Sequence, residues 1–322
     1  MPSKIIPNQS TTPKYSIIAP VFNEVETLEA FYLELSRVMT TTKQPWELLL
    51  VDDGSTDGST EFILGLAQDV KNVFPIIFAR NFGHQIAVTA GMDYARGDAV
   101  IIIDADLQDP PSVITELITK WQEGYQVVYA VRREREGEGW LKLATASVFY
   151  RLISSITDVN IPLDTGDFRL LDRRVVDVMK NMRERQRFLR GMSAWVGFKQ
   201  TGVHYDRKAR YAGQTKYPFR KMLKLAVNAV TSFSYFPLQM ATYLGFFCAG
   251  LSILAIPVVA FMRLSNQEAF FGQATTLISV LFLGGVQLIF LGILGEYVGR
   301  IYDEAKGRPL YILREEPPFS RK

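Results

Sequence analysis

Two carboxylates one residue apart, Asp104 and Asp106, close the apolar run 99–103, and Gln108 follows two residues later. Three oxygen-bearing side chains on one short turn suit a hard cation such as Mg2+ or Mn2+. Such an ion takes one or two carboxylates and keeps positions for substrate phosphates. The regular D-x-D-x-D-G spacing of a calcium loop is absent. A second acidic pair, Asp52-Asp53, stands behind another apolar run, 47–51. Adjacent acids there can accept hydrogen bonds from a nucleobase or a ribose. Both clusters also have a plainer account, as solvated acids and turn punctuation. No G-x-G-x-x-G follows the first apolar run and no G-x-x-x-x-G-K-[ST] occurs, which argues against dinucleotide and P-loop sites. One cysteine, Cys248, excludes a disulfide framework or a cysteine metal cluster. Two histidines, His84 and His204, argue against a histidine-rich zinc centre.

The elements that must hold these residues alternate. Residues 15–21, 47–51, 75–79, 99–103 and 127–131 are short apolar runs of strand character. Helical stretches are expected from near Glu24, over 58–70, over 85–94, and from Pro110-Pro111 through about Glu123. Continuous apolar strands alternating with helices imply an α/β fold with a mostly parallel sheet covered on both faces. Ligands of such folds bind beyond the carboxyl ends of the strands. The polar clusters fall at those ends: residues 20–24, Asp52-Asp53, Arg80-Asn81 and Asp104/Asp106.

The 322 residues carry 36 basic and 33 acidic side chains, a net +3 that hides an uneven distribution. Residues 1–206 hold 22 basic and 27 acidic groups, and residues 207–322 hold 14 and 6. A hydrophobic content of 48% excludes a disordered chain. Residues 236–262 and 269–295 are two uncharged stretches of 27 residues. A helix of that length spans about 40 Å, against about 30 Å for a bilayer core. Two membrane spans are therefore expected, with a pair of buried core helices as the soluble alternative. Basic residues flank both stretches while the loop 263–268 has one Arg, which puts both flanks in the cytoplasm. No apolar signal peptide opens the chain, so the N-terminal part is expected to stay cytoplasmic. Phe219, Met222, Leu223, Ala226, Val227, Val230 and Phe233 recur at helical spacing opposite Arg220, Lys221 and Lys224, as in an interfacial helix. An ordinary surface helix would look the same. The expected organisation is a catalytic domain over 1–206, a basic juxtamembrane segment over 207–235, a two-helix hairpin over 236–298 and a basic cytosolic tail over 299–322.

SIIAPVFNE (16–24), VDDGSTDGS (51–59), IIIDADLQDPP (101–111) and TGDFRLLDRRVV (165–176) resemble the motifs of family 2 glycosyltransferases with a GT-A fold. RYAGQTKY (210–217), a basic helix and two apolar stretches are similar to the polyprenyl-phosphate branch, which includes bactoprenol glucosyltransferases and dolichyl-phosphate mannose synthases. The resemblance covers most of the chain, in family order and spacing. It implies that Pro20, Phe22, Glu24, Asp52 and Asp53 hold the nucleoside of a nucleotide-sugar, together with the Asp104-Ala105-Asp106 turn. Phe22 departs from the family's usual tyrosine, which removes a hydroxyl but keeps a ring. It implies Asp104, Asp106 and Gln108 as ligands of Mg2+ or Mn2+, and Arg132, Arg210 and Lys216 as cations facing phosphates of donor or lipid acceptor. Those three also suit lipid-headgroup contact or plain solvation. Asp106, Asp164 and Asp167 are the acids placed nearest the reaction.

The implied reaction moves one sugar, glucose from UDP-glucose by preference, onto a polyprenyl phosphate such as undecaprenyl or dolichyl phosphate. It is metal-dependent and inverting, at a membrane that would be the plasma or inner membrane if the protein is bacterial. The Q-x-x-R-W pattern of processive synthases is missing, because 186–190 reads QRFLR, so a single transfer is expected. Another donor of the GDP-mannose or UDP-aminoarabinose type, another lipid acceptor such as diacylglycerol, and a non-catalytic nucleotide-sugar-binding adaptor are the alternatives. A homo-oligomer is expected, and nucleic acid is not, since the soluble part is acidic.

Overall fold

The computed structural model describes residues 12–132, 165–206, 236–264, 273–315 and 317. The chain divides into two units: Met1–Ser154, Val159–Phe219 and Pro309–Lys322 form one, and Arg220–Arg308 with Ser155–Asp158 the other.

In the first unit the strands are β1 (Tyr15–Val21), β2 (Trp46–Asp52), β3 (Val73–Ile77), β4 (Ala99–Ile102), β5 (Val127–Arg132), β6 (Thr165–Asp172) and β7 (Gln200–Tyr205). They form one sheet in the order β3-β2-β1-β4-β6-β5-β7. Pairs β1–β2, β1–β4, β2–β3 and β5–β7 are parallel, while β6 lies antiparallel between β4 and β5. The α/β, mostly parallel expectation holds. The sequence TGDFRLLD reads as a motif without an evident period, yet it forms β6 and brings that motif beside β4.

The helices are α1 (Val25–Thr41), α2 (Ser59–Asp69), α3 (His84–Tyr94), α4 (Ile114–Gln122), α5 (Arg173–Asn181) and α6 (Leu189–Trp195). Strand side chains alternate between faces. Ile17, Ala19, Leu48, Leu50 and Ile101 pack with Leu28, Phe31 and Leu35 of α1 and Leu117 of α4. Ile18, Leu49, Val51, Val100 and Ile102 pack with Val88 and Met92 of α3 and Val175 and Met179 of α5. Both faces are covered, which explains strands that are mostly apolar rather than alternating. The fully buried Glu47 accepts from Ser16 Oγ at 2.6 Å and from Arg96 Nε at 2.8 Å, so its charge is paired.

The C-terminal segment also belongs to this unit. Ala79 N donates to Ile312 O at 2.9 Å and Arg314 N to Ile77 O at 2.8 Å. Phe78 and Leu313 form an antiparallel bridge beyond β3. The expected basic tail therefore begins as helix and continues into a strap on the edge of the sheet.

The second unit contains α7 (Phe236–Leu264), with Pro257 inside it, and α8 (Gln273–Ala305). The two helices touch each other. Phe246, Phe247 and Leu254 of α7 and Phe282, Leu288 and Leu291 of α8 are exposed. One stretch among the described residues, Phe282–Ala305, is long and apolar enough to cross a membrane, with a mean hydropathy of 1.5; in α7 the apolar stretch Leu238–Cys248 is shorter. The expected interfacial helix over 207–235 lies outside the described residues.

Candidate active site at the carboxyl ends of the strands

The loops after β1 and β2 are laced together. Asn23, left-handed at φ 56°, donates from its backbone to Ser55 Oγ at 3.0 Å and accepts from Thr56 N at 2.8 Å. Glu24 N donates to Ser59 Oγ at 3.1 Å and Val25 N to Asp57 Oδ2 at 3.1 Å. Phe22 projects from this loop about half exposed, a ring available for stacking. Pro20 is buried within β1, opposite Val51. Asp52 is fully buried and accepts from Ser55 N at 2.9 Å and from the Thr60 hydroxyl. Asp53 accepts from Phe82 N at 2.6 Å and Gly83 N at 2.9 Å, and burial pushes its carboxyl up. Both acids thus shape their own loops first. Each carboxylate oxygen has a second lone pair for a further donor.

At the end of β4 the Asp104 side chain is about one-third exposed, Ala105 is buried, and Asp106 accepts from Gln108 N at 3.1 Å and Gln108 Nε2 at 2.7 Å. Gln108 is thus placed as a brace for Asp106. Leu107 takes φ 59°, an uncommon conformation for a bulky residue and one concentrated at functional turns. Burial, with Asp167, Asp109 and Asp106 adding to it and His84 opposing, pushes the Asp104 carboxyl up to about 6. Among the described residues no three His, Cys, Asp or Glu side chains converge as a metal cluster. Two carboxylates crowded by like charges nevertheless fit Mg2+ or Mn2+, which completes its shell with phosphate and water oxygens.

His84, Gln85, Arg190 and Arg169 have no place in the sequence-based site, and the structure brings them into it. His84 opens α3 and sets Nε2 3.1 Å from Asp167 Oδ2 and 3.8 Å from Asp104 Oδ1. Burial lowers its basicity, but the bond to Asp167 and the two nearby carboxylates outweigh that and push it up to about 9. Gln85 Nε2 donates to the same Asp167 oxygen at 2.9 Å, while Gln85 Oε1 accepts from Leu189 N at 3.0 Å. Arg190 Nε donates to Asp167 Oδ1 at 2.9 Å. Burial would raise Asp167, but His84 and Arg190 hold it well below the usual carboxylate range. Arg169 is buried beneath, donating to Gly166 O at 2.9 Å and to Ser193 Oγ. Burial lowers its guanidinium to about 10.

Arg132 ends β5 with Nε 3.2 Å from Tyr205 Oη and Nη2 3.8 Å from Asp109 Oδ2. The Tyr205 hydroxyl donates in turn to Asp109. A Cβ on Gly166 would lie 2.9 Å from Arg132 Nη2, so the guanidinium sits over the start of β6. Tyr205 and Asp109 are further residues that the sequence did not single out. Asp164, Arg210 and Lys216 lie outside the described residues.

The ends of β2, β4, β5 and β6 and the start of α3 are thereby joined through Asp53, Asp104, Arg132, Asp167 and His84. The seven-stranded, mostly parallel α/β sheet is a GT-A fold. Residues 16–179 match the model of glycosyl transferase family 2, and the chain belongs to that family. Over 96% of both chains it is 51% identical to the uncharacterised glycosyltransferase YkcC of Bacillus subtilis (strain 168). It is 44% identical to the bactoprenol glucosyl transferase of Shigella phage SfV, over 94% of this chain and 99% of that one. Among solved structures, glucosyl-3-phosphoglycerate synthase from Mycobacterium tuberculosis aligns with a TM-score of 0.45 and 19% identity, over 68% of this chain and 77% of that one.

Proposed function

We propose that this glycosyltransferase moves one glucose from UDP-glucose to a polyprenyl phosphate at a membrane surface, with inversion and without chain growth. The observation that carries the proposal is the likeness to bactoprenol glucosyl transferase, which runs through the apolar C-terminal third as well as the catalytic unit. Asp104 and Asp106 would hold the divalent ion, braced by Gln108. When bound, that ion offsets charge on the departing nucleoside diphosphate. Phe22 and Asp53 line the nucleoside end, with Pro20, Glu24 and Asp52 supporting the loops behind them.

A lipid phosphate is anionic at neutral pH, so its oxygen attacks the anomeric carbon without a strong base. The anomeric C–O bond to the diphosphate breaks on the opposite face. The required help is positive charge to bring two anions together. Arg132 is built for it, fixed by Tyr205 and Asp109. Arg210 and Lys216 are the other cations proposed for this role. Asp167 is committed to three donors, which suits an orienting charge better than a proton acceptor.

Connectivity supports an even number of membrane crossings. β7 ends at Tyr205 and the strap resumes near Tyr311, both on one sheet. On this reading the intervening chain leaves and returns on the same side of the membrane. Phe282–Ala305 supplies one crossing, and the 29 residues of α7, about 43 Å as a helix, have the reach for the other.

The test is glucosyl transfer by the purified full chain with Asp104→Ala and Asp106→Ala, with and without chelator. Loss of at least a hundredfold in each variant, and recovery from chelation on adding Mg2+ or Mn2+, is expected. Near-normal rates in the variants would remove the ion-binding role.

A further inference from the structure

The loop 78–83 carries the two amides that fix Asp53, and it is held from behind by a segment that no donor-binding motif includes. Phe82 N and Gly83 N reach Asp53 at 2.6 and 2.9 Å. A Cβ on Gly54, at φ 74°, would lie 2.7 Å from Arg80 C, so the loop is seated directly on the Asp53-Gly54 turn. Phe82 is gripped by Arg80, whose guanidinium lies 4.0 Å from the ring centroid, and by Phe78, edge-on at 5.5 Å. Behind Phe78 stands Tyr311 of the strap, stacked at 5.3 Å with the ring planes 13° apart. The Tyr311 hydroxyl donates to Asp93 Oδ2 at 2.9 Å, and Arg183 Nη1 lies 2.9 Å from both Asp93 oxygens. The backbone bonds Ala79 N to Ile312 O and Arg314 N to Ile77 O complete the clamp.

We infer that the C-terminal strap, residues 309–314, is a positioning element for the donor site, and that Tyr311 is its key side chain, acting through Phe78 and Phe82 on Asp53. Simple protection of an exposed sheet edge would need only the backbone bonds. The aromatic train from Tyr311 to Phe82 goes further, because it ends on the residue that supplies an amide to Asp53. The stretch after α8 thus shapes the nucleotide end of the site, although more than a hundred residues separate it from β7. The inference rests on the proposed donor contact at Asp53.

The experiment uses the full chain in detergent micelles and compares Tyr311→Ala, Tyr311→Phe and Asp53→Asn. Steady-state constants for UDP-glucose and polyprenyl phosphate are measured together with deuterium uptake over 78–83. In Tyr311→Ala the donor KM should rise about fivefold, as for loss of one aromatic stack. The acceptor KM should hold, and uptake over 78–83 should quicken. Tyr311→Phe keeps the stack and should restore most of the donor KM. An unchanged donor KM in Tyr311→Ala, beside a raised one in Asp53→Asn, would overturn the strap's role and leave the donor site standing. No change in either variant would overturn the donor role of Asp53 and the inference with it. A lowered thermal midpoint with unaltered KM values would reduce the strap to edge protection.

Discussion

At the scale of single residues, Asp167 is the junction of the site. It accepts from His84, Gln85 and Arg190, side chains of two helices remote in sequence. Arg190→Ala removes a charge-assisted bond of about 1.5–3 kcal/mol, so kcat is expected to fall about tenfold to a hundredfold. The same bond supports the fold, because Asp167 is nearly buried, so the thermal midpoint should fall as well. Steady-state kinetics beside a melting curve checks this, and an unaltered kcat would separate Arg190 from catalysis. Asp104, Asp106 and Asp53 were legible as candidates because they stand directly behind apolar strands, at the end of the sheet where ligands of such folds bind. His84 was not, since a lone histidine carries no spacing signal. Arg190 was hidden in QRFLR, a stretch notable in the sequence only for failing the Q-x-x-R-W pattern.

At the scale of elements, the first five strands announce themselves by short, largely apolar runs, the third two residues earlier than expected, and β6 does not. Its sequence TGDFRLLD mixes charges with apolar residues because it delivers Asp167 and the buried Arg169 to the site. Asp172 at its end caps α5, accepting from Arg174 N at 3.0 Å and from Trp121 Nε1 at 2.9 Å. Burial would raise its carboxyl, but the Arg174 and Trp121 bonds keep it below the ordinary value. A depressed carboxylate stabilises fully above its unfolded value of 3.8 and loses that contribution as pH falls through the folded value. Asp172→Ala should therefore cost about 1–2 kcal/mol at neutral pH. The variant's thermal midpoint should also drop less steeply than the parent's below pH 4. Parallel curves throughout would mean that the cap does not titrate with folding.

At the scale of the whole molecule, the net +3 is the sum of −5 on residues 1–206 and +8 on residues 207–322, and that uneven charge was legible in the sequence. The return of the chain to the sheet was not, since nothing in PLYILR distinguishes an edge strap from a tail. With the strap and β7 on one sheet, an impermeant thiol reagent should label Asn266→Cys and Glu315→Cys from opposite faces of sealed vesicles, in a Cys248→Ser background. Labelling of both from one face would refute a two-crossing hairpin. The central claim is chemical, and one measurement reaches it. Purified full-length protein is given UDP-[14C]glucose, Mg2+ and equal amounts of polyprenyl phosphate and diacylglycerol. The account expects one glucose on the polyprenyl phosphate for each UDP released, abolished by Asp106→Asn. Label on diacylglycerol alone, or UDP release with no labelled lipid, would contradict it.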